Sequence, residues 1–231
     1  MKKTEVILLV SGLLLSLISC SKKPGIPLQE HPDVNEWNAL FAEDLSDALY
    51  PDGIWTYTNN ILTATEDEMI WTNISYDNFI LDLEFRNDTG TNSGVIVYCS
   101  HIDDWIPNSV EIQIADDFVK EEPGVPDIYS CGAVFGHLAP SKSMVRPPGE
   151  WNRITITCYD RMIYVILNGE PVIEMDMSQW TSAKRNPDGT EIPSWLNKPL
   201  ASLPTSGHIG FQGKHGDAAI FFRNIRIREL D

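Results

Sequence analysis

From residue 53 onward the chain is a succession of short β-prone runs, none much longer than about ten residues, each closed by a turn signal. Gly53–Tyr57 and Ile61–Ala64 flank an Asn59-Asn60 turn, and Ile70-Trp71 opens the next run. Phe79–Arg86 alternates Phe79, Leu81, Leu83 and Phe85 against Ile80, Asp82, Glu84 and Arg86, which predicts one buried face and one mostly wet face. Runs at 92–99 and 109–114 follow, then a brief strand at 132–136. Residues 151–158 and 162–167 read as a hairpin pair, and Asn168-Gly169 is a tight-turn signal leading to Val172–Met175. Near the C-terminus Ile209 and Phe211 alternate with Gly210 and Gln212, and Ile220–Ile227 is a β-branched and aromatic run. Gly213–Asp217 joins these two as a polar turn, so taken alone they read as an ordinary hairpin. No helix beyond a turn or two is predicted anywhere. Such a pattern requires an all-β fold, a β-sandwich.

Residues 176–206 break the rhythm. Pro187, Pro193, Pro199 and Pro204 forbid long regular elements there, and a loop of this length inside a compact domain is often functional.

The first residues stand outside that fold. Lys2 and Lys3 precede an apolar run from Val6 to Ile18, the form of an export signal too short for a comfortable membrane span. Leu17-Ile18-Ser19-Cys20 resembles the bacterial lipobox, which implies cleavage before Cys20 and lipidation of that residue. Residues 1–19 are therefore expected to be a lipoprotein signal, 20–35 the lipidated Cys and a proline-containing tether, and 36–231 one domain. The expected location is the cell envelope, held to the membrane by lipid and periplasm-facing, since Ser21-Lys22-Lys23 is not acidic.

A net charge of -16 argues against nucleic acid, because neutralising phosphates needs basic patches. Seven Trp, seven Tyr and eight Phe suit a sugar-binding surface, although most such rings belong in a core. Cys99, Cys131 and Cys158 lie in or beside strand-like runs with no Cys-x-x-Cys spacing. One pair with a free thiol and three free thiols both stay open, and small buried residues are the expected role.

The pieces Asn92-Ser93-Gly94-Val95, Glu111-Ile112-Gln113-Ile114, Gly149-Glu150-Trp151-Asn152, Leu167-Asn168-Gly169, Gly207-His208-Ile209-Gly210-Phe211-Gln212 and Phe222-Arg223-Asn224-Ile225 stand in a telling order. With them the chain resembles the 3-keto-disaccharide hydrolase domain family over roughly residues 36–230. The resemblance implies a concanavalin A-like jelly roll of two curved antiparallel sheets. It also implies a carbohydrate substrate already oxidised at C3, so a separate sugar 3-oxidoreductase would have to act first. Gly213-Lys214 stands before His215 where many members have a single Asp, which shifts the position of His215.

A 3-keto group acidifies the hydrogen on C2, so cleavage needs one base, an oxyanion stabiliser and an acid for the leaving group. Glu111 is the expected base, and it shares a strand face with Gln113 opposite Val110, Ile112 and Ile114. His215 is the second catalytic candidate, its ordinary pKa lying nearest neutrality. Asn92, Gln113 and Gln212 suit hydroxyl recognition because amides both donate and accept. Tyr98 is expected to do the same or to stack on the sugar ring. Lys214 is a candidate for stabilising an enolate. For Arg223, strict alternation places it on the core side and a bulge would reverse that. Glu111, Asp116, His101, His137 and His215 offer donor atoms without spacing diagnostic of a metal, so neither a metal nor a cofactor is expected. The alternatives to 3-keto-glycoside cleavage are a non-catalytic carbohydrate-binding lipoprotein on the same fold and a conventional glycosidase.

Overall fold

The computed structural model describes residues 26–231, so the expected signal and the lipidated Cys20 lie outside the described residues. The strands in chain order are β1 (Asn38–Ala39), β2 (Ala48–Leu49), β3 (Trp55–Thr58), β4 (Ile61–Ala64), β5 (Met69–Thr72), β6 (Phe79–Asn87), β7 (Asn92–Cys99), β8 (Val110–Ala115), β9 (Asn152–Tyr159), β10 (Met162–Leu167), β11 (Glu170–Asp176), β12 (His208–Gln212) and β13 (Ile220–Glu229). They form two antiparallel sheets. One runs β11-β10-β9-β6-β13-β4-β3 with β1 also on β13, and the other runs β2-β5-β12-β7-β8. This is the expected jelly roll. Its hairpins use the predicted turns: Asn59 and Asn60 both take positive φ, as do Asn168 and Gly169, which is the backbone twist a tight hairpin demands.

Alternation supplies the core. Leu81, Leu83 and Phe85 from β6 and Ile154 and Ile156 from β9 meet Val95, Val97, Ile112, Ile114 and Phe211 from the opposite sheet. Each such side chain contributes about 1.5–3 kcal/mol when removed from water. Cys99, Cys131 and Cys158 are all buried free thiols.

Three expectations need correcting. The C-terminal runs are not a hairpin: β12 pairs with β5 and β7, while β13 pairs with β6, β4 and β1 in the other sheet. Turn 213–217 therefore crosses from sheet to sheet, and Phe211 and Phe222 meet across the core with ring centroids 4.8 Å apart. Each run has its own alternation, and that local pattern cannot say which neighbour it pairs with.

The second correction concerns β6, whose outer face is less wet than predicted. Ile80 and Asp82 are buried. Residues 31–35 lie over that face, held by a chain of bonds. Gly169 N–H donates to His31 Nε2 at 2.8 Å, His31 Nδ1 meets Thr155 Oγ1 at 2.7 Å, and Thr155 Oγ1 donates to Asp82 at 2.5 Å. Arg153 bonds both Asp82 at 3.0 Å and the Pro32 carbonyl at 2.7 Å.

The third is the stretch at 132–136, which is not a strand. It is a tight turn with isolated bridges, and it runs along the free edge of β8.

Candidate active site

The outer face of the five-stranded sheet carries a second, small apolar cluster of Trp71, Ile96 and Cys99, against which Met69, Ile102 and Trp105 pack. Beside it opens a cavity of about 310 Å³, within the size range of small-ligand sites. Its lining comes from six places: Asn92 on β7, Val110 and Glu111 on β8, Gln212 and His215 at and after β12, Trp105, Ile106 and Ser109 between β7 and β8, Phe135 and His137 in the turn beyond β8, and Trp195 and Leu196 in the long loop. Four of the residues singled out in the sequence thus converge: Glu111, His215, Asn92 and Gln212.

Glu111 owes its position to a glycine. Gly94 lies beside it on β7, and a Cβ there would stand 2.3 Å from Glu111 Oε1. The carboxyl therefore lies across bare backbone. Burial without a cationic partner disfavours its charged form and pushes its pKa up from 4.5 to about 8. Gln113 is a polar neighbour. With this amide and that of Asn92 both turned, the Gln113 nitrogen donates to Glu111 Oε1 and to the Ser93 carbonyl, both at 3.2 Å, and the Gln113 oxygen accepts from the Asn92 amide nitrogen at 3.0 Å. Gln113 is 3% exposed and does not line the cavity, so it holds Glu111 and Asn92 in place from beneath. Gly210 plays the same part for Trp71 that Gly94 plays for Glu111, since a Cβ would meet the indole at 2.3 Å.

His215 stands at the lip. Its backbone bridges to Asn92, and its Nδ1 lies 2.5 Å from Asp67 Oδ2, with the imidazole 46% exposed. No pattern in the sequence marks Asp67. It is distant in sequence, and the pairing of β12 with β5, continued by the hydrogen bonds of Gly213 and Lys214 to the Glu68 and Glu66 carbonyls, brings its segment alongside.

Loops beyond β8 build the remaining wall. Phe135 N–H bonds the Glu111 carbonyl at 3.0 Å, which clamps turn 132–138 to the strand edge. Gly136 has φ 71, and a Cβ on it would lie 2.5 Å from Leu196. Asn186, buried in the long loop, accepts from Trp180 Nε1 at 2.9 Å and donates to the Gly136 carbonyl at 3.3 Å. The proline-rich stretch is thus anchored against the cavity, as a functional loop must be. His137 Nδ1 faces the Phe135 carbonyl at 2.8 Å and carries the proton, while burial lowers the pKa of the ring. Its Nε2 is buried without a partner. In the sequence His137 drew notice only as a donor atom.

Three candidates fall elsewhere. Tyr98 is fully buried between the sheets, where its hydroxyl donates to the Asp160 carbonyl at 3.1 Å and its ring meets Phe79 edge-on. The cause is a bulge: Tyr98 has φ 56, and the pairing of β12 with β7 shifts register there. Arg223 is also turned by a bulge, at Asn224 with φ 53, but onto the outer face of the eight-stranded sheet. It bonds Glu84 at 2.7 Å and lies 3.9 Å over the Trp151 ring. Lys214 does not line the cavity. Among the described residues no group of three or more His, Cys, Asp and Glu side chains is gathered as a metal ion would need.

Two sheets, a jelly-roll order and a cavity on one outer face define a class, the galectin-like β-sandwich. A Bacillus subtilis protein of unknown function with a galectin-like fold superposes with a TM-score of 0.53 at 13% identity, over 87% of this chain and 98% of that one. Carbohydrate-binding module CBM66 from Bacillus subtilis superposes at 0.50 and 12%, over 82% and 99%. Within that class the chain belongs to the 3-keto-alpha-glucoside-1,2-lyase-like domain family, which it matches over residues 27–228. A candidate glycosyl hydrolase from Parabacteroides distasonis is 55% identical and superposes with a TM-score of 0.81, over 85% of this chain and all of that one. No curated protein matches the chain. Family and relative together tie the chain to carbohydrate chemistry of the glycosidase type.

Proposed function

We propose that the protein cleaves the glycosidic bond of 3-keto-glycosides by removing the proton from C2. What carries this reading is a single, partly buried carboxyl, Glu111, with a pKa near 8, in a cavity whose lining holds no second carboxylate. Ordinary glycosidases work with a pair of carboxyl groups flanking the bond. One carboxyl suffices once a ketone at C3 has made the C2 hydrogen acidic.

In the proposed sequence the Glu111 carboxylate takes the C2 proton, and the electron pair of that bond moves into the ring as the enolate of the C3 ketone. The enolate then re-forms the ketone and expels the C1 substituent, leaving a double bond between C1 and C2. The departing oxygen takes the C1–O electron pair and the proton that Glu111 removed from C2, while His215, held by Asp67, faces the sugar from the polar end. Water then adds its hydroxyl to C1 and a proton to C2, completing hydrolysis. If the unsaturated product departs first, the reaction ends as a lyase, as the family description has it. Gln212 and Asn92 are placed to bond the sugar hydroxyls or the enolate oxygen. The ketone must come from a separate oxidoreductase acting at C3, and a lipid anchor at Cys20 would place the reaction at the envelope.

The fold also supports non-catalytic carbohydrate binding, the property named for CBM66. Incubation with a 3-keto-disaccharide separates the readings. Released monosaccharide that disappears in Glu111→Gln supports cleavage. Binding without release supports the binding module, and release from unoxidised disaccharide identifies a conventional glycosidase.

A further inference from the structure

The cavity changes character along the strands. At the end where β7 begins and β12 finishes, its lining is Asn92, Gln212 and His215. At the other end it is Trp105, Ile106, Phe135, Trp195 and Leu196. Glu111 stands between, opposite Ile96 at the middle of β7. The apolar end is fixed: Lys198 reaches back to the Asn108 side chain, and Leu196 packs on Gly136. Yet Trp195 is 55% exposed and Ile106 is 42% exposed. An indole held open at a cavity mouth by an anchored loop is surface kept for a ligand.

We propose that this apolar end seats the leaving group, and that it takes a planar apolar aglycone, an aryl group, in preference to a second sugar. The proposal rests on the C1-bond cleavage described above. The reason is hydrogen-bond supply. Ser109 Oγ is committed to the Trp105 carbonyl at 2.7 Å, and the Asn108 amide to Asp104 and Lys198. His137 Nδ1 is committed to Phe135, which leaves its enclosed Nε2 and the indole N–H groups. A pyranose carries several hydroxyls that would lose water here without finding partners, and unpaired buried polar groups are costly. An aryl ring has none to lose and offers a face to Trp105, Phe135 and Trp195.

The test is calorimetric titration of the full chain carrying Glu111→Gln, so that no ligand is consumed. The probes are phenyl glucoside, methyl glucoside and a glucose disaccharide, each with its 3-keto form. The expected result is that the phenyl compound binds at least tenfold tighter than its methyl and disaccharide counterparts. Adding the exposed-site change Trp195→Ala should remove that preference and leave methyl glucoside affinity unchanged. A disaccharide bound as tightly as the phenyl compound overturns the proposal, as does a preference indifferent to Trp195 or no binding by any probe. A Trp195-dependent dimer in sedimentation, without aryl preference, would assign the same surface to a second copy of the chain instead. Because the readout is affinity, an aryl preference can survive the failure of 3-keto cleavage, and cleavage can survive the failure of aryl preference.

Discussion

Replacing Glu111 with Gln should make the protein more stable, and increasingly so as pH rises. The folded-state pKa of about 8 lies above the ordinary 4.5, so between the two the folded chain holds a proton that the unfolded chain has released. Stability therefore falls as pH climbs through that window, is unaffected below it and stays depressed above it. A tenfold shift in equilibrium is about 1.4 kcal/mol, so the gap from 4.5 to about 8 sets a ceiling of about 5 kcal/mol. Water reaching the half-open carboxyl and relaxation of the Gln113 amide reduce this to about 1–3 kcal/mol. Gln keeps the shape, carries no charge and can still bond Gln113. For a domain of this size that difference corresponds to about 2–12 °C in Tm. Thermal unfolding of both proteins from pH 4 to pH 9 should give coincident Tm values at the acid end and a gap that opens to a plateau above pH 8. All other carboxylates cancel in the difference, being common to both proteins. A gap that does not change with pH, or a variant less stable at pH 9, would refute the claim that Glu111 is held uncharged by burial.

If Glu111 acts as a base, its reactive form is the minor one at neutrality, so kcat/KM on a 3-keto-glycoside should rise with pH and reach half its limit near 8; a rate independent of pH between 6 and 9 would count against it. Gly94→Ala brings a methyl within 2.3 Å of Glu111 Oε1, so it should lower kcat by at least about tenfold with a Tm loss of only a few degrees, since the backbone there needs no positive φ. Gly136→Ala meets both a positive φ and Leu196, and should cost about 2–4 kcal/mol by denaturant titration while freeing the long loop to proteolysis. Arg223→Lys breaks a pairing with Glu84 and Trp151 on the far sheet, and should alter stability by about 1 kcal/mol or less with KM unchanged; a raised KM would contradict the placement of Arg223.

The fold was legible because strand periodicity and turn chemistry are local. Asn59-Asn60 and Asn168-Gly169 mark their own hairpins, and Phe79, Leu81, Leu83 and Phe85 mark their own buried face. Partnership between strands was not legible, which is why β12 and β13 read as neighbours when they lie in different sheets. Alternation also fails at a bulge: one extra residue at Tyr98 turns that side chain into the core, and one at Asn224 decides between the two faces open to Arg223. Glu111, Asn92, Gln212 and His215 were readable because they lie on intact alternation or in the turn directly after it. Gly94 and Gly210 stood in the motifs with no role attached. Their signal was present, since a glycine inside a strand marks the close approach of another group. Asp67, His137 and Trp195 reach the cavity rim only through loops whose courses depend on single contacts such as Asn186 to Gly136, which leave no periodic trace in a sequence.

Proton removal from C2 is best followed in heavy water. With a 3-keto-disaccharide as substrate, mass spectrometry of the released 3-keto sugar should show one deuterium at C2, appearing at the rate of cleavage and far faster than in a control without protein, and Glu111→Gln should abolish both release and label. Release of that sugar with hydrogen retained at C2 would mean that the bond breaks without an enolate, and the role given to Glu111 would be wrong.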